Sequence, residues 1–165
     1  MNEENRYAPP KAEVQDVAEG GNLASLGARL GGAIIDAIIS WVLVFPLMYY
    51  TGFWQSAMAG QVNYGLQVLL SIGGMVIFLL LNGYLLAKHG QTIGKRIVGT
   101  RIVSVTDGQI LPLVKVFGLR YVPMSLVAMV PIVGNILALV NVLFIFRDDR
   151  RCIHDLIAGT RVINA

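Results

Sequence analysis

The chain has 165 residues, of which 55% are hydrophobic and 14% charged, with a formal net charge of +3. This is the balance of a bilayer protein rather than of a soluble core, and the placement of this small charge argues orientation in a membrane, not nucleic-acid binding. Cys152 is alone, which excludes an intrachain disulfide, and the two histidines stand in no zinc-motif spacing.

Residues 1–23 are polar, with Pro9, Pro10 and acids at Glu3, Glu4, Glu13, Asp16 and Glu19. They read as a disordered cytoplasmic tail, and Asn5 to Pro10 as a docking peptide or a solvated leader. With no apolar run near the start, no cleaved signal peptide is expected. The rest, 24–163, reads as one transmembrane domain.

A first span is expected at about 28–50. Arg29 stands at its rim and Asp36 about 9 Å deeper, where a carboxylate costs a few kcal/mol unless it is paired, protonated or wet. The seven-residue spacing puts both on one helix face, about 10.5 Å apart, so each is expected to bond elsewhere in the chain. Gly27, Gly31, Ala28 and Gly32 form small-residue pairs suited to close helix approach. Residues 51–65 carry no charge, as suits a translocated loop. A second span is expected at about 66–87, with Gly73-Gly74 as a packing or bending point and Asn82 as its main polar group.

Residues 88–110 are basic, with Lys88, Lys95, Arg96 and Arg101 against Asp107, which assigns them to the cytoplasm. Within them, Thr92 to Val98 reads as a helical turn, Thr100 to Val105 as a strand, and Asp107-Gly108 as a turn. The apolar run 111–146 divides at the turn signal Pro131 to Asn135 into spans at about 112–130 and 136–146. The rival is one kinked span from Pro123 to Phe146, which would leave the C-terminus outside. Arg147, Arg150, Arg151 and Arg161 after the run favour four crossings with both termini cytoplasmic.

An internal echo agrees with that parity. Ile93 to Val103 aligns with Ile153 to Ile163, sixty residues on, with Ile, Ile, Gly, Thr and Arg identical and Lys95 opposite Asp155. It suggests two units, each a helical hairpin, a short helix, a Gly-Thr-Arg turn and a strand, the two strands pairing beneath the membrane. The expected fold is an all-α membrane protein, a four-span bundle of two hairpins with short cytoplasmic helix and strand segments.

Three ordered stretches carry a resemblance: Gly27-Ala28-Arg29-Leu30 with Asp36, Gly94-Lys95-Arg96-Ile97-Val98-Gly99, and His154-Asp155-Leu156-Ile157-Ala158-Gly159-Thr160. They resemble the RDD family of bacterial integral membrane proteins, named for one arginine and two aspartates, which by motif are Arg29, Asp36 and Asp155 here. The resemblance implies a small multi-pass protein of the bacterial inner membrane, and cation–proton antiport has been proposed for some members.

Two functions fit these residues. One is a small transporter exchanging a monovalent cation for protons, with Asp36 carrying charge and Arg29 and Asp155 tuning it. The alternative is a non-transporting scaffold or accessory subunit. Only Ser40 continues a polar path beyond Asp36 in span one, which favours the scaffold, although a homo-oligomer could supply a path that one chain lacks. Either way one polar cluster is expected, comprising Arg29, Asp36, Asp155 and either Arg120 or Lys95. His154 could sense pH or simply be interfacial. No nucleophile triad, phosphate loop or metalloprotease motif is present in the sequence, so neither an enzyme nor a cofactor or metal is expected. The lipid bilayer is the partner expected in both readings.

Overall fold

The computed structural model describes residues 23–61, 63–130 and 133–165. The expected tail, apart from Leu23, lies outside the described residues, as do Pro131 and Ile132 of the expected turn.

Two long helices dominate. Helix α1 spans Leu26–Tyr50, α2 is the short Phe53–Met58, and α3 spans Tyr64–His89. At about 1.5 Å per residue, α1 and α3 reach about 37 and 39 Å, enough to cross a core of about 30 Å. Ser25 caps α1 by accepting from the Ala28 N–H, and Asn63 caps α3 by accepting from Leu66. Gly90, at φ +63°, ends α3 in the left-handed conformation that glycine adopts without strain. The apolar side chains of both helices point outward, with Trp41 60% and Leu80 80% exposed. Water would not tolerate so continuous an apolar surface, which lipid solvates. The buried residues of these helices are Arg29 and Gly32 in α1 and Asn82, Gly83 and Leu86 in α3. They gather at the end where α1 begins and α3 finishes.

That end carries a small polar cap. After α3 come α4 (Ile93–Ile97) and β1 (Thr100–Ser104). Then α5 (Leu113–Val116) runs through a π-helical turn (Phe117–Tyr121) into α6 (Val122–Ala128). Helix α7 (Val133–Leu143) ends in a 3-10 turn, Phe144–Phe146, and is followed by α8 (Ile153–Ala158) and β2 (Thr160–Asn164). The two strands pair antiparallel, with Ile102 opposite Val162, and Leu23 bridges to Ile163. The apolar core sits beneath the sheet and comprises Ala24, Leu86, Ile102, Leu111, Val116 and Val162.

The strand pair expected from the internal echo is therefore present. Each half presents a short helix, a glycine at positive φ (Gly99 +67°, Gly159 +64°) and a five-residue strand. The structure adds detail to two expectations. The span-length helices among the described residues are α1 and α3. Residues 113–128 and 133–146 reach about 24 and 21 Å at helical rise, less than a full core of about 30 Å. The expected loop at 51–65 also contains α2.

Candidate functional site

Asp155 organises the cap. It is the third residue of α8, where its carboxylate accepts from the Cys152 N–H at 3.3 Å and closes the first turn. Its side chain is only 1% exposed, a position where an unpaired carboxylate would be costly. Four donors meet that cost. Arg120 Nη1 donates to Oδ1, Thr160 Oγ1 donates to the same oxygen at 2.9 Å, and Arg29 Nη2 donates to Oδ2 at 3.4 Å alongside the Cys152 amide. Both guanidiniums are themselves buried, and Arg120 also reaches Thr160 Oγ1 at 2.9 Å. Despite burial, the two arginines hold the Asp155 carboxyl below the usual range. One carboxylate thus ties together α1, the π-helical turn, α8 and the start of β2.

Asp36 belongs to a different set of bonds. It is half-buried, accepts from the Thr92 hydroxyl on Oδ2, and accepts from the Gly94 N–H on Oδ1 at 2.7 Å. It is joined in this by Asn82, whose Oδ1 accepts from the Ile93 N–H at 2.8 Å. Helix α4 is thereby pinned against α1, and the approach is close. A Cβ on Gly94 would stand 2.1 Å from the Gly32 carbonyl oxygen, and one on Gly32 would stand 3.1 Å from Val98. Gly31 and Gly32 of the small-residue stripe serve this contact with α4 and its C-cap.

The two halves of the cap mirror one another. Asn82 from α3 accepts from the backbone at the start of α4, and Asn141 from α7 accepts from the His154 N–H at the start of α8 at 3.2 Å. Asp36 reaches the first turn of α4, and Arg120 reaches Asp155 in the first turn of α8. The sixty-residue echo thus extends into three dimensions with the charges exchanged.

Of the expected cluster, the structure joins Arg29, Asp155 and Arg120 by direct bonds. Asp36 is not among them: two turns farther along α1 it meets the start of α4, and its bonds are made there. Lys95 lies between the two sets. Its amide completes the Thr92 cap at 3.3 Å, its side chain is 8% exposed, and no salt bridge reaches it among the described residues. Burial, reinforced by Arg120, pushes its pKa down to about 8. Arg29 is buried beside Asp155. One single-residue reading also changes. His154, with Nδ1 2.9 Å from Asn141 Oδ1, is pushed by burial and Arg120 down to about 3, so it is neutral across physiological pH.

The sequence reading does not identify Thr92, Thr160 or Gly94 as partners of the charges. Threonine immediately before a short helix was a usable signal for Thr92, and the identity of Thr100 and Thr160 in the echo marked the other. Cys152, His154 and Asp155 bring ligand-type atoms within 4.8 Å of one another. Two buried guanidiniums already hold the only carboxylate of that set, which suits it poorly to a metal cation.

A second feature lies on the far side of the cap. A cavity of about 430 Å³ opens between α1, α3 and the 113–128 segment, mainly apolar, with Ser40, Gln67, Ser71, Tyr121 and Ser125 among its lining. Ser40 stands one helical turn beyond Asp36.

Comparison with known proteins places the chain in a family. The RDD family model matches residues 23–159. An uncharacterized protein of Haemophilus influenzae is 32% identical over 142 residues, covering 85% of this chain and 77% of its own. The uncharacterized protein YckC of Bacillus subtilis is 36% identical over 143 residues, covering 86% and 85%. No solved structure gives a significant match. With outward-facing apolar helices of spanning length, this is a membrane protein, and the chain belongs to the RDD family.

Proposed function

We propose that this protein is a multi-pass scaffold of the bacterial inner membrane, whose family charges lock a rigid cytoplasmic cap onto the membrane helices. The observation that carries this reading is that both acids are engaged by donors from within the chain. Asp155 takes four donors and Asp36 takes two, all from within the chain. A carboxylate that carries an ion or a proton needs a coordination position that opens, and both here are committed to holding elements together.

Pairing of β1 with β2 supports an even number of crossings between them, and the Leu23 bridge brings the start of α1 to the same face. In this reading 113–128 and 133–146 are two short membrane-embedded segments that complete two hairpins, the bilayer thinning around them. Lys88, Arg96, Arg101, Arg147, Arg150, Arg151 and Arg161 flank the spans on the cap side, which supports a cytoplasmic cap. The cap is then the docking surface for a partner subunit or a second copy.

A second reading, exchange of a monovalent cation for protons, is favoured by the 430 Å³ cavity, because Ser40, Ser71, Gln67 and Ser125 continue polar groups beyond Asp36. Flux measurements separate the two. In liposomes holding purified protein, a scaffold passes no sodium, potassium or protons above empty vesicles. Proton-coupled cation flux that disappears in Asp36→Asn would establish the antiporter.

A further inference from the structure

Three cations line one small cavity of the cap against one carboxylate. The cavity, of about 180 Å³, is bounded by Arg29, Lys95, Arg120, Asn141, His154 and Asp155. With His154 neutral, the lining carries a surplus of two positive charges. The nearest further acid, Asp36, is committed to Thr92 and Gly94.

The donors in this cavity are not used up. Arg29 spends Nη2 on Asp155, while its Nη1 is buried without a hydrogen-bond partner. Lys95 is a buried residue on the wall of the same cavity, and it takes part in no salt bridge among the described residues. Buried donors are rarely left unmatched, and an unmatched buried charge costs several kcal/mol. Evolving two such groups into one cavity is explained if an anion completes them.

The position narrows the chemistry. Leu30 and Val142, both exposed apolar residues, form part of the same wall. Arg29 stands in the first turn and a half of the membrane helix α1, at the level of lipid headgroups in the reading above. Guanidinium and ammonium groups together are a recurrent way to hold phosphate oxygens.

We propose that this cavity is a phosphate-binding site, filled by a phosphate group carrying one or two negative charges. Arg29 Nη1 and the Lys95 ammonium are its principal donors, and Arg120 contributes field while remaining bonded to Asp155. The phosphate comes either from a lipid headgroup, with its acyl chains along Leu30 and Val142, or from solution. The proposal does not depend on whether the protein transports or scaffolds.

Lys95 faces Arg29 and Asp36 from α1, Arg120 from the π-helical turn, and Cys152, His154 and Asp155 from the α8 region. Among these Lys95 is the group that loses its charge just above neutrality, so binding weakens as pH rises through about 8.

The test uses full-length protein stripped of lipid in a non-ionic detergent. Binding of inorganic phosphate is measured by calorimetry. Binding of anionic phospholipid is measured by native mass spectrometry and by flotation with vesicles of phosphatidylglycerol or phosphatidic acid in phosphatidylcholine. Lys95→Gln is the probe, since Lys95 holds no salt bridge that folding needs, with Lys95→Arg as rescue and Lys88→Gln as control. The expected result is saturable binding of at least one probe, weakened tenfold or more in Lys95→Gln and retained in Lys95→Arg and Lys88→Gln. Phosphate binding in solution identifies a free anion as a ligand; binding of the lipid alone identifies a headgroup site. Absence of binding to either probe overturns the proposal. So does equal binding by wild type and a Lys95→Gln variant whose circular dichroism and elution volume match the wild type.

Discussion

Replacing Asp155 with asparagine should be the most damaging single neutralisation in this protein. The carboxylate is 1% exposed and faces two guanidiniums that are 5–6% exposed. Asparagine keeps the volume and some hydrogen bonds but leaves Arg29 and Arg120 as buried cations with no counter-charge. Removing one partner of such a buried pair costs about 3–5 kcal/mol. Arg120→Gln leaves Asp155 with Arg29 and should cost about 3 kcal/mol, near the lower end of that range. The double variant should be much less unstable than the sum, with a coupling energy of about 1–3 kcal/mol. Arg29→Gln with Asp155→Asn should couple in the same direction and more weakly, because that contact is longer at 3.4 Å. Arg29→Gln with Asp36→Asn should add within about 0.5 kcal/mol, because the two residues share no partner. The assay is unfolding in mixed micelles, followed by the fluorescence of Trp41 and Trp54. Additivity of Arg120 and Asp155 within about 0.5 kcal/mol would refute the lock.

Two further outcomes follow from the cap. The Ile102 N–H bonds to the Gly90 carbonyl and the Val162 carbonyl accepts from Ala24, so this opposed pair turns its backbone groups away from the partner strand. Such non-hydrogen-bonded pairs bring Cα atoms to about 4.5 Å, and cysteines at 102 and 162 in a Cys152→Ala background should form a disulfide on mild oxidation, read by mass spectrometry. Lys95 gives a pH signature: its folded pKa of about 8 lies below the usual value, so the unfolded chain binds the extra proton above pH 8. Stability should therefore rise between about pH 8 and pH 10 in wild type and lose that rise in Lys95→Met.

Much of the cap was legible in the sequence because its signals are local or repeated. Gly99 and Gly159 precede Thr-Arg in both halves, and the β-branched runs after them mark the strands that pair. Arg29, Arg120 and Asp155 were recoverable as partners because buried charges seek opposite charges and few candidates share that side. Asp36 was misplaced for the converse reason. Its partners are a hydroxyl and a backbone N–H, 56 and 58 residues away, and neither carries a charge that a sequence displays. The glycines of α1 announced a close approach but not to what, and the neighbour is α4. Hydropathy along 111–146 reported apolar character without length, since a π-helical turn at Phe117–Tyr121 interrupts the run and α6 already ends at Ala128.

The central claim is that Asp155 fastens the cap to the membrane helices, and amide hydrogen exchange measures that fastening directly. In lipid nanodiscs, peptides covering 100–104 and 160–164 should be strongly protected in wild type. They should lose most of that protection in Asp155→Asn and regain much of it when Arg29→Gln and Arg120→Gln are added, while the centre of α3 stays protected throughout. Strand protection unchanged in Asp155→Asn would contradict the claim.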